Sequence, residues 1–481
     1  MESTRTVFGW ALAATLASAA LPLSAQPPNA PVTFSETIAP ILYEHCVTCH
    51  RPGEIGPFSL ISYDDAARHG SRLVEATASR YMPPWHAEPG YGEFVGERWL
   101  RDEQIELFRA WVEQGMPRGD PARLPALPSF SDGWALGEPD LVLEMPAAFE
   151  LPAGGHDVYR NFVLPTGLTE DRWVRAVELR AGARAAAHHA LFAYVPQGTF
   201  AARDGADGQP GFGGSMAVGF VPGQGNSGSL GGWAVGGRAM ALPDGLAFLL
   251  PADTDFLLQM HFHPTGDPAQ ERARVGLYFA AAPPGKAMAS LDLPALFGFG
   301  AGIDVPAGDG NYVVQDAFTL TADVLVHLAW AHAHYLARDM KVAATLPDGS
   351  TTPLLWIRNW DFDWQEMYVY KEPVMLPKGA RVEATIRYDN SAGNPRNPHD
   401  PPQRVRWGLE STDEMGTIGF LMEILSREDE PALQEALSGR TQAAIQRAAQ
   451  DGTLQRYLAQ QQSLNAAREG SSGAEQHRRE H

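Results

Sequence analysis

Both cysteines of this 481-residue chain stand in one five-residue run, Cys46-Val47-Thr48-Cys49-His50. No disulfide can therefore cross-link the rest of the chain, and its large domains must be held by packing alone. The run is a C-x-x-C-H. Its two thiols have the spacing that meets both vinyl groups of a haem, and the imidazole beside the second thiol reaches the iron. A redox or zinc pair is the alternative use of C-x-x-C, but no second cysteine pair exists to complete a zinc site. The expectation is one covalent c-type haem on Cys46 and Cys49, with His50 as an axial ligand. Met82, held extended ahead of Pro83-Pro84-Trp85, is the expected ligand on the opposite face, with His69, His86 and Met116 as alternatives. Met/His ligation would make this haem an electron carrier and not an oxygen binder.

Helical patterns flank the run. Ile38, Ile41 and Leu42 share one face of a segment opened by Thr33-Phe34-Ser35, and Ile105, Phe108, Trp111 and Val112 repeat at helical spacing before Gly115. Residues 31–122 are therefore expected to form a small all-α, cytochrome c-like domain. Ahead of it, residues 1–25 carry Arg5, an apolar run from Val7 to Leu21, and small residues at Ser24 and Ala25, the pattern of a secretory signal peptide. A retained anchor is the alternative, but Pro22 interrupts the run, which is short for a span. The expected location is periplasmic or secreted, without stable membrane insertion.

Beyond residue 134 the texture changes to short apolar runs such as Leu141-Val142-Leu143, punctuated by Gly, Pro and Asp. Such runs predict two all-β domains of jelly-roll or β-sandwich type, 134–282 and 285–427, divided at Ala281-Ala282-Pro283-Pro284-Gly285. Residues 204–237 are Gly-rich and read as a long loop over a site or as disorder. Residues 428–481 are polar, with helical spacing at Leu433, Leu437, Ile445 and Leu454, which predicts a loosely docked helix pair followed by disorder. A formal net charge of -20 repels nucleic acid and anionic membranes, so neither is an expected partner.

The β region holds His188-His189, His261, His263, His327, His332-Ala333-His334 and Met415. Residues two apart on a strand share a face, so His332 and His334 can close on one metal, and so can His261 and His263. Adjacent residues point to opposite faces, so His188 and His189 can both ligate only where the strand is bent, bulged or at an edge. Two imidazoles with a thioether favour a metal that is soft and reduced for part of its cycle, which points to copper rather than zinc.

The ordered set Ala187-His188-His189-Ala190-Leu191-Phe192, Leu258-Gln259-Met260-His261-Phe262, Ala331-His332-Ala333-His334 and Ser411-Thr412-Asp413-Glu414-Met415 resembles the copper type II, ascorbate-dependent monooxygenases over roughly residues 135–427. That family includes peptidylglycine α-hydroxylating and dopamine β-monooxygenases. The resemblance implies two jelly-roll domains, each with one copper, facing each other across an open, solvent-filled cleft. His188, His189 and His261 would hold the electron-transfer copper, with His263 as a competitor for His261. His332, His334 and Met415 would hold the oxygen-activating copper, and His327, on the opposite face by parity, would pack. The implied reaction inserts one atom of O2 into a C–H bond of a small organic substrate. Its electrons would come from an external donor through the fused haem.

The chain also departs from that family. Where peptide-amidating members hold the substrate carboxylate with Arg, Asn and Tyr, this chain has Trp330, Thr417 and Gly419. A glycine-extended peptide would lose its anchor, so it is not the expected substrate. Trp330, Tyr335 and Phe420 point instead to an apolar one, although core packing explains them equally well. Two other functions compete with the monooxygenase: a haem/copper dehydrogenase with the reverse electron flow, and a non-catalytic copper electron-transfer protein.

Overall fold

The computed structural model describes residues 31–459 except 53, 55, 131–132, 156, 215–226 and 235–238. The expected signal peptide, the middle of the Gly-rich segment and the tail from residue 460 lie outside the described residues. The chain is mostly β-sheet with a few helices. Among the described residues no helix is long and apolar enough to cross a membrane.

A turn of π-helix, Phe34–Ile38, runs into α1, Ala39–His45, which ends at the Cys46 motif. Three helices follow: α2, Tyr63–Arg68; α3, Gly70–Ala78; and α4, Asp102–Glu113. The predicted apolar faces meet as the spacing requires, since Ile38, Ile41 and Leu42 share one buried cluster with Ile105, Phe108 and Trp111. At the start of α4 the Gln104 side chain accepts the Arg101 N–H at 2.9 Å, satisfying a donor that the helix leaves open. At its end Gly115 takes φ 78°, where a Cβ would be strained.

Between α3 and α4 the chain leaves this helical cluster. Trp85, Ala87 and Phe94 belong to the core of the C-terminal β domain. Their backbone pairs with it too, because Ala87 bridges Ile357 and Phe94 bridges Tyr370. Segment 84–98 thus straps the helical part to the sheet that follows, which its sequence, lacking regular period, does not announce.

Residues 141–279 form two five-stranded antiparallel sheets. In one, Thr254–Phe262 is central, flanked by Val158–Pro165 and Ala187–Pro196. Every residue of the central strand is buried. Phe256, Leu258, Met260 and Phe262 fill the sandwich core on one face, leaving Leu257, Gln259 and His261 to the other. Residues 287–424 contribute two facing four-stranded sheets. The inner order is Ala287–Leu293, Gly416–Ile424, Val324–Ala333, Met367–Leu376.

The tail docks more firmly than its composition implies. Helix α5, Glu430–Gln450, buries Leu433, Ala444 and Ala448. The small residue Ala444 lets its backbone approach Gly300, where any Cβ would meet the Ala444 carbonyl at 2.1 Å. Arg440 pairs with Asp316. Ile445, expected on the docked face, is only half-buried.

Candidate functional site

Two buried histidine clusters lie where the sandwiches meet. The first begins with a break in register. His189 pairs with His261, but the next partner of the central strand, Phe262, pairs with Ala187, which leaves His188 as the extra residue of a β-bulge. The bulge turns both members of the vicinal pair to one side. Ligand atoms of His188, His189 and His261 all lie within 4.8 Å of one another. His189 Nδ1 is 3.2 Å from His188 Nδ1 and 3.3 Å from His261 Nδ1.

The outer nitrogens explain this convergence. His261 Nε2 meets Asp157 Oδ2 at 2.9 Å, and His188 Nε2 meets the Asp363 carbonyl at 2.5 Å. A carboxylate and a carbonyl only accept, so both Nε2 atoms carry the proton and both Nδ1 atoms present lone pairs inward, the arrangement of a metal-ligating imidazole. Burial, then the neighbouring imidazoles, push His188 down to about 4 and His189 well below the usual histidine range, so neither is a cation at neutral pH. Against the pull of its own burial, Asp157 is held down to about 2 by His261 and His263. His263, the competitor for His261, faces Asp157 instead of the cluster, at 2.9 Å through Nδ1, and its side chain is 68% exposed. Asp157 is a site residue that sequence reading missed, since it lies a hundred residues from its partners with no motif around it.

In the second cluster, His332 and His334 share a face as their spacing predicts, with ring centroids 5.3 Å apart. His332 Nδ1 donates to Gln365 Oε1 at 2.7 Å and His334 Nδ1 to the Asp413 carbonyl at 3.2 Å, which leaves both Nε2 atoms as lone pairs. His332 Nε2 is buried and has no hydrogen-bond partner. Burial pushes His332 down to about 4 and His334 to about 3. Met415 is buried, and the Ala333–Gly416 register pair sets it beside the His334 end of the neighbouring strand. Glu414 fastens the two strands: Oε1 accepts the N–H of His334 at 2.6 Å and of Met415 at 2.8 Å, and Oε2 that of Leu336 at 2.9 Å.

His327 is buried, as expected of a packing residue, but not on the face that parity assigns it. Its strand bulges between Val326 and Leu328, which breaks the parity argument, and His327 Nε2 meets buried Glu423 at 3.0 Å. Part of the gap between the clusters is filled by a side chain. Phe362, 1% exposed, stands there with its ring centroid 5.9 Å from His261, 6.2 Å from His188 and 5.7 Å from His334. Beside the clusters lies a cavity of about 320 Å³, lined by His189, His332, Leu191, Phe297, Trp330 and Phe420 among others.

The Cys46 motif is tied to the same region. Glu54 pairs with Arg51 at 2.8 Å and with Arg184, just ahead of the His188 strand, at 2.6 Å. Arg98 of the strap pairs with Glu366 at 2.6 Å. His50 Nδ1 donates to the Phe58 carbonyl at 3.1 Å, which leaves Nε2 for a ligand. Burial pushes the Cys46 thiol up to about 12 and raises that of Cys49, so the pair is not a poised thiolate couple. Of the residues considered for the opposite haem face, His69 lies near His50 through Phe58, which stacks on it at 3.9 Å and lies 4.8 Å from His50. Met82 is half-buried beyond the end of α3, with its amide on the Ala76 carbonyl at 3.0 Å. Met116 packs at the start of α3, where its sulfur lies beside Gly70. His86, in the strap, is held near Asp361 and Arg396.

No family model matches the chain, and no curated protein matches it. Among solved structures it is similar to the VP2 subviral particle of infectious bursal disease virus, at 9% identity, over 65% of this chain and 77% of that one, with a TM-score of 0.19. It is also similar to the Gx strain structure of the same virus, at 8% identity, over 60% and 72%, with a TM-score of 0.16. Similarity at this level carries no functional argument.

Proposed function

We propose that this chain is a copper-dependent monooxygenase that takes its electrons through a covalently attached haem. One observation carries the reading: the imidazole nitrogens of His188, His189 and His261 converge within 4.8 Å of one another, and a second buried pair, His332 and His334, lies on the other side of Phe362. His188, His189 and His261 would hold one copper. His332, His334 and Met415 would hold the other, with the thioether favouring the reduced ion. When bound, such a pair supplies one-electron storage at each site and activation of O2 for insertion of one oxygen atom into a C–H bond. Cys46, Cys49 and His50 would hold a haem, which would supply single electrons from an external donor.

The protein's own residues do the rest. Asp157 and the Asp363 carbonyl orient the first triad, and Gln365 and Glu414 orient the second. Phe362 excludes water from the space between them. The ion pair Glu54–Arg184 holds the haem-binding loop against the first sandwich, and Arg98–Glu366 holds the strap against the second. The cavity beside His189 and His332 is lined by no Lys or Arg among the described residues, which supports a substrate without a carboxylate and agrees with the missing peptide anchor.

The test is the metal and haem content of protein exported to an oxidising compartment, by elemental analysis and the reduced haem spectrum. About two coppers per haem are expected, with His188→Ala and Met415→Ala each losing about one. Copper indifferent to both substitutions, or none at all, would overturn the proposal.

A further inference from the structure

The inner sheet of the C-terminal sandwich carries a row of cross-strand neighbours that forms one wall of the cavity. Asp292 pairs in register with Gly419, Gly419 with Trp330, and Trp330 with Met367. Asp292, Trp330 and Met367 all line the cavity. Gly419 is required by its neighbour, because a Cβ there would meet the Trp330 indole at 2.2 Å. The indole therefore lies across Gly419, toward Asp292.

Asp292 is the exception in this wall. Its Oδ1 is buried and accepts no hydrogen bond from the protein, while the residue as a whole is half-buried. A buried polar atom left unpaired costs stability, so it calls for a partner. Arg440 of α5 lies nearby and donates Nη2 to the Asp292 main-chain carbonyl at 3.0 Å while pairing with Asp316; its Nε is also buried without a partner, yet it makes no hydrogen bond to the Asp292 carboxyl. The carboxyl thus faces a mostly apolar chamber lined by aromatic rings, with a histidine from each cluster in its wall; Glu366, the other carboxylate there, is paired with Arg98.

We propose that Asp292 anchors the substrate by accepting a hydrogen bond from an amine or hydroxyl group on a small aromatic or alicyclic body that packs against Trp330 and Phe297. This deepens the monooxygenase reading and rests on it for the word substrate; the recognition itself needs only the cavity. A carboxylate-bearing ligand of the same shape is excluded, because it would set two acceptors against each other in a mostly apolar site.

Three probes of one shape separate the possibilities: benzylamine, benzyl alcohol and benzoate, titrated by calorimetry into the full-length, metal-loaded protein under nitrogen and into the same protein after chelation. Benzylamine and benzyl alcohol are expected to bind at least roughly tenfold more tightly than benzoate. An advantage of the amine over the alcohol would assign a cationic substrate, and equal binding a hydroxylated one. Asp292→Asn, which keeps the shape, is expected to erase the advantage of the amine and admit benzoate. Asp292→Ser is a second variant that does not depend on how an amide sits there, and near-ultraviolet dichroism checks the fold of both. Benzoate binding as well as benzylamine, an unchanged order in both variants, or no binding by any probe would overturn the proposal. Metal content measured on the same samples keeps this outcome separate from a failure of the copper reading, since the order of the probes does not require copper.

Discussion

Replacing Asp292 by Asn should stabilise the protein at neutral pH while impairing its cavity, and the size of the gain follows from the site. Burial raises the Asp292 carboxyl from an ordinary 3.8 to about 6, with Arg440 pulling the other way. A group whose pKa is higher in the folded state costs nothing below its unfolded value, where it is protonated in both states. The cost grows as pH rises from about 4 to about 6 and is constant above that. At about 1.4 kcal/mol for each pH unit, the native state loses about 3 kcal/mol by neutral pH. An amide carries no charge to desolvate, so Asp292→Asn should recover much of this at pH 8 and almost none at pH 4. Urea unfolding of wild type and variant at both pH values, without bound ligand, measures the difference. A gain that is independent of pH, or a loss at pH 8, would refute the reasoning, because the carboxyl would then be making a favourable contact that the buried, unpartnered oxygen does not reveal. Stability given up at one position in an apolar wall is what a binding residue is expected to show.

Two further outcomes follow from the clusters. Asp157→Asn replaces an acceptor that serves both His261 and His263, and should weaken copper at the first cluster by roughly 10- to 100-fold while leaving the second unchanged; titration against a competing chelator reads both. Phe362→Ala removes a ring buried between the clusters and should cost about 3–5 kcal/mol in urea unfolding of the metal-free protein, and a cost below about 1 kcal/mol would mean that the gap collapses or was never filled.

The parts of this site legible in the sequence are those governed by short-range rules. Period-two parity joined His332 to His334, and the bulge that the vicinal pair His188-His189 demanded occurs at His188. The faces of α1 and α4 followed from apolar spacing. The same parity misread His327, because one inserted residue reverses a strand's faces and nothing local marks the insertion. Asp157, Asp292 and segment 84–98 were invisible for another reason. Each acts through partners distant in the chain, and a lone carboxylate or an aperiodic segment does not name its partner. The run Asp361-Phe362-Asp363 was the one overlooked local signal, since acid and aromatic residues alternate there between two strands.

That run lies in a connection, residues 359–366, that touches every part of the proposed machinery. Its Asp363 carbonyl fixes the tautomer of His188, its Gln365 fixes that of His332, its Phe362 stands between the clusters, and its Glu366 receives Arg98 of the strap. Arg396 grips Asp361, with Nη2 on Oδ2 at 2.6 Å, and the Asp363 amide closes on Asp361 Oδ1 at 2.9 Å. A loop so pinned is not the usual mobile surface connection. Because one short segment meets an imidazole nitrogen on each side, the positions of the two clusters are coupled through it. Their relative placement is therefore a property of this loop more than of either sandwich. In a chain with no disulfide to fix one domain against another, ion pairs and a buried ring at a single connection do that work.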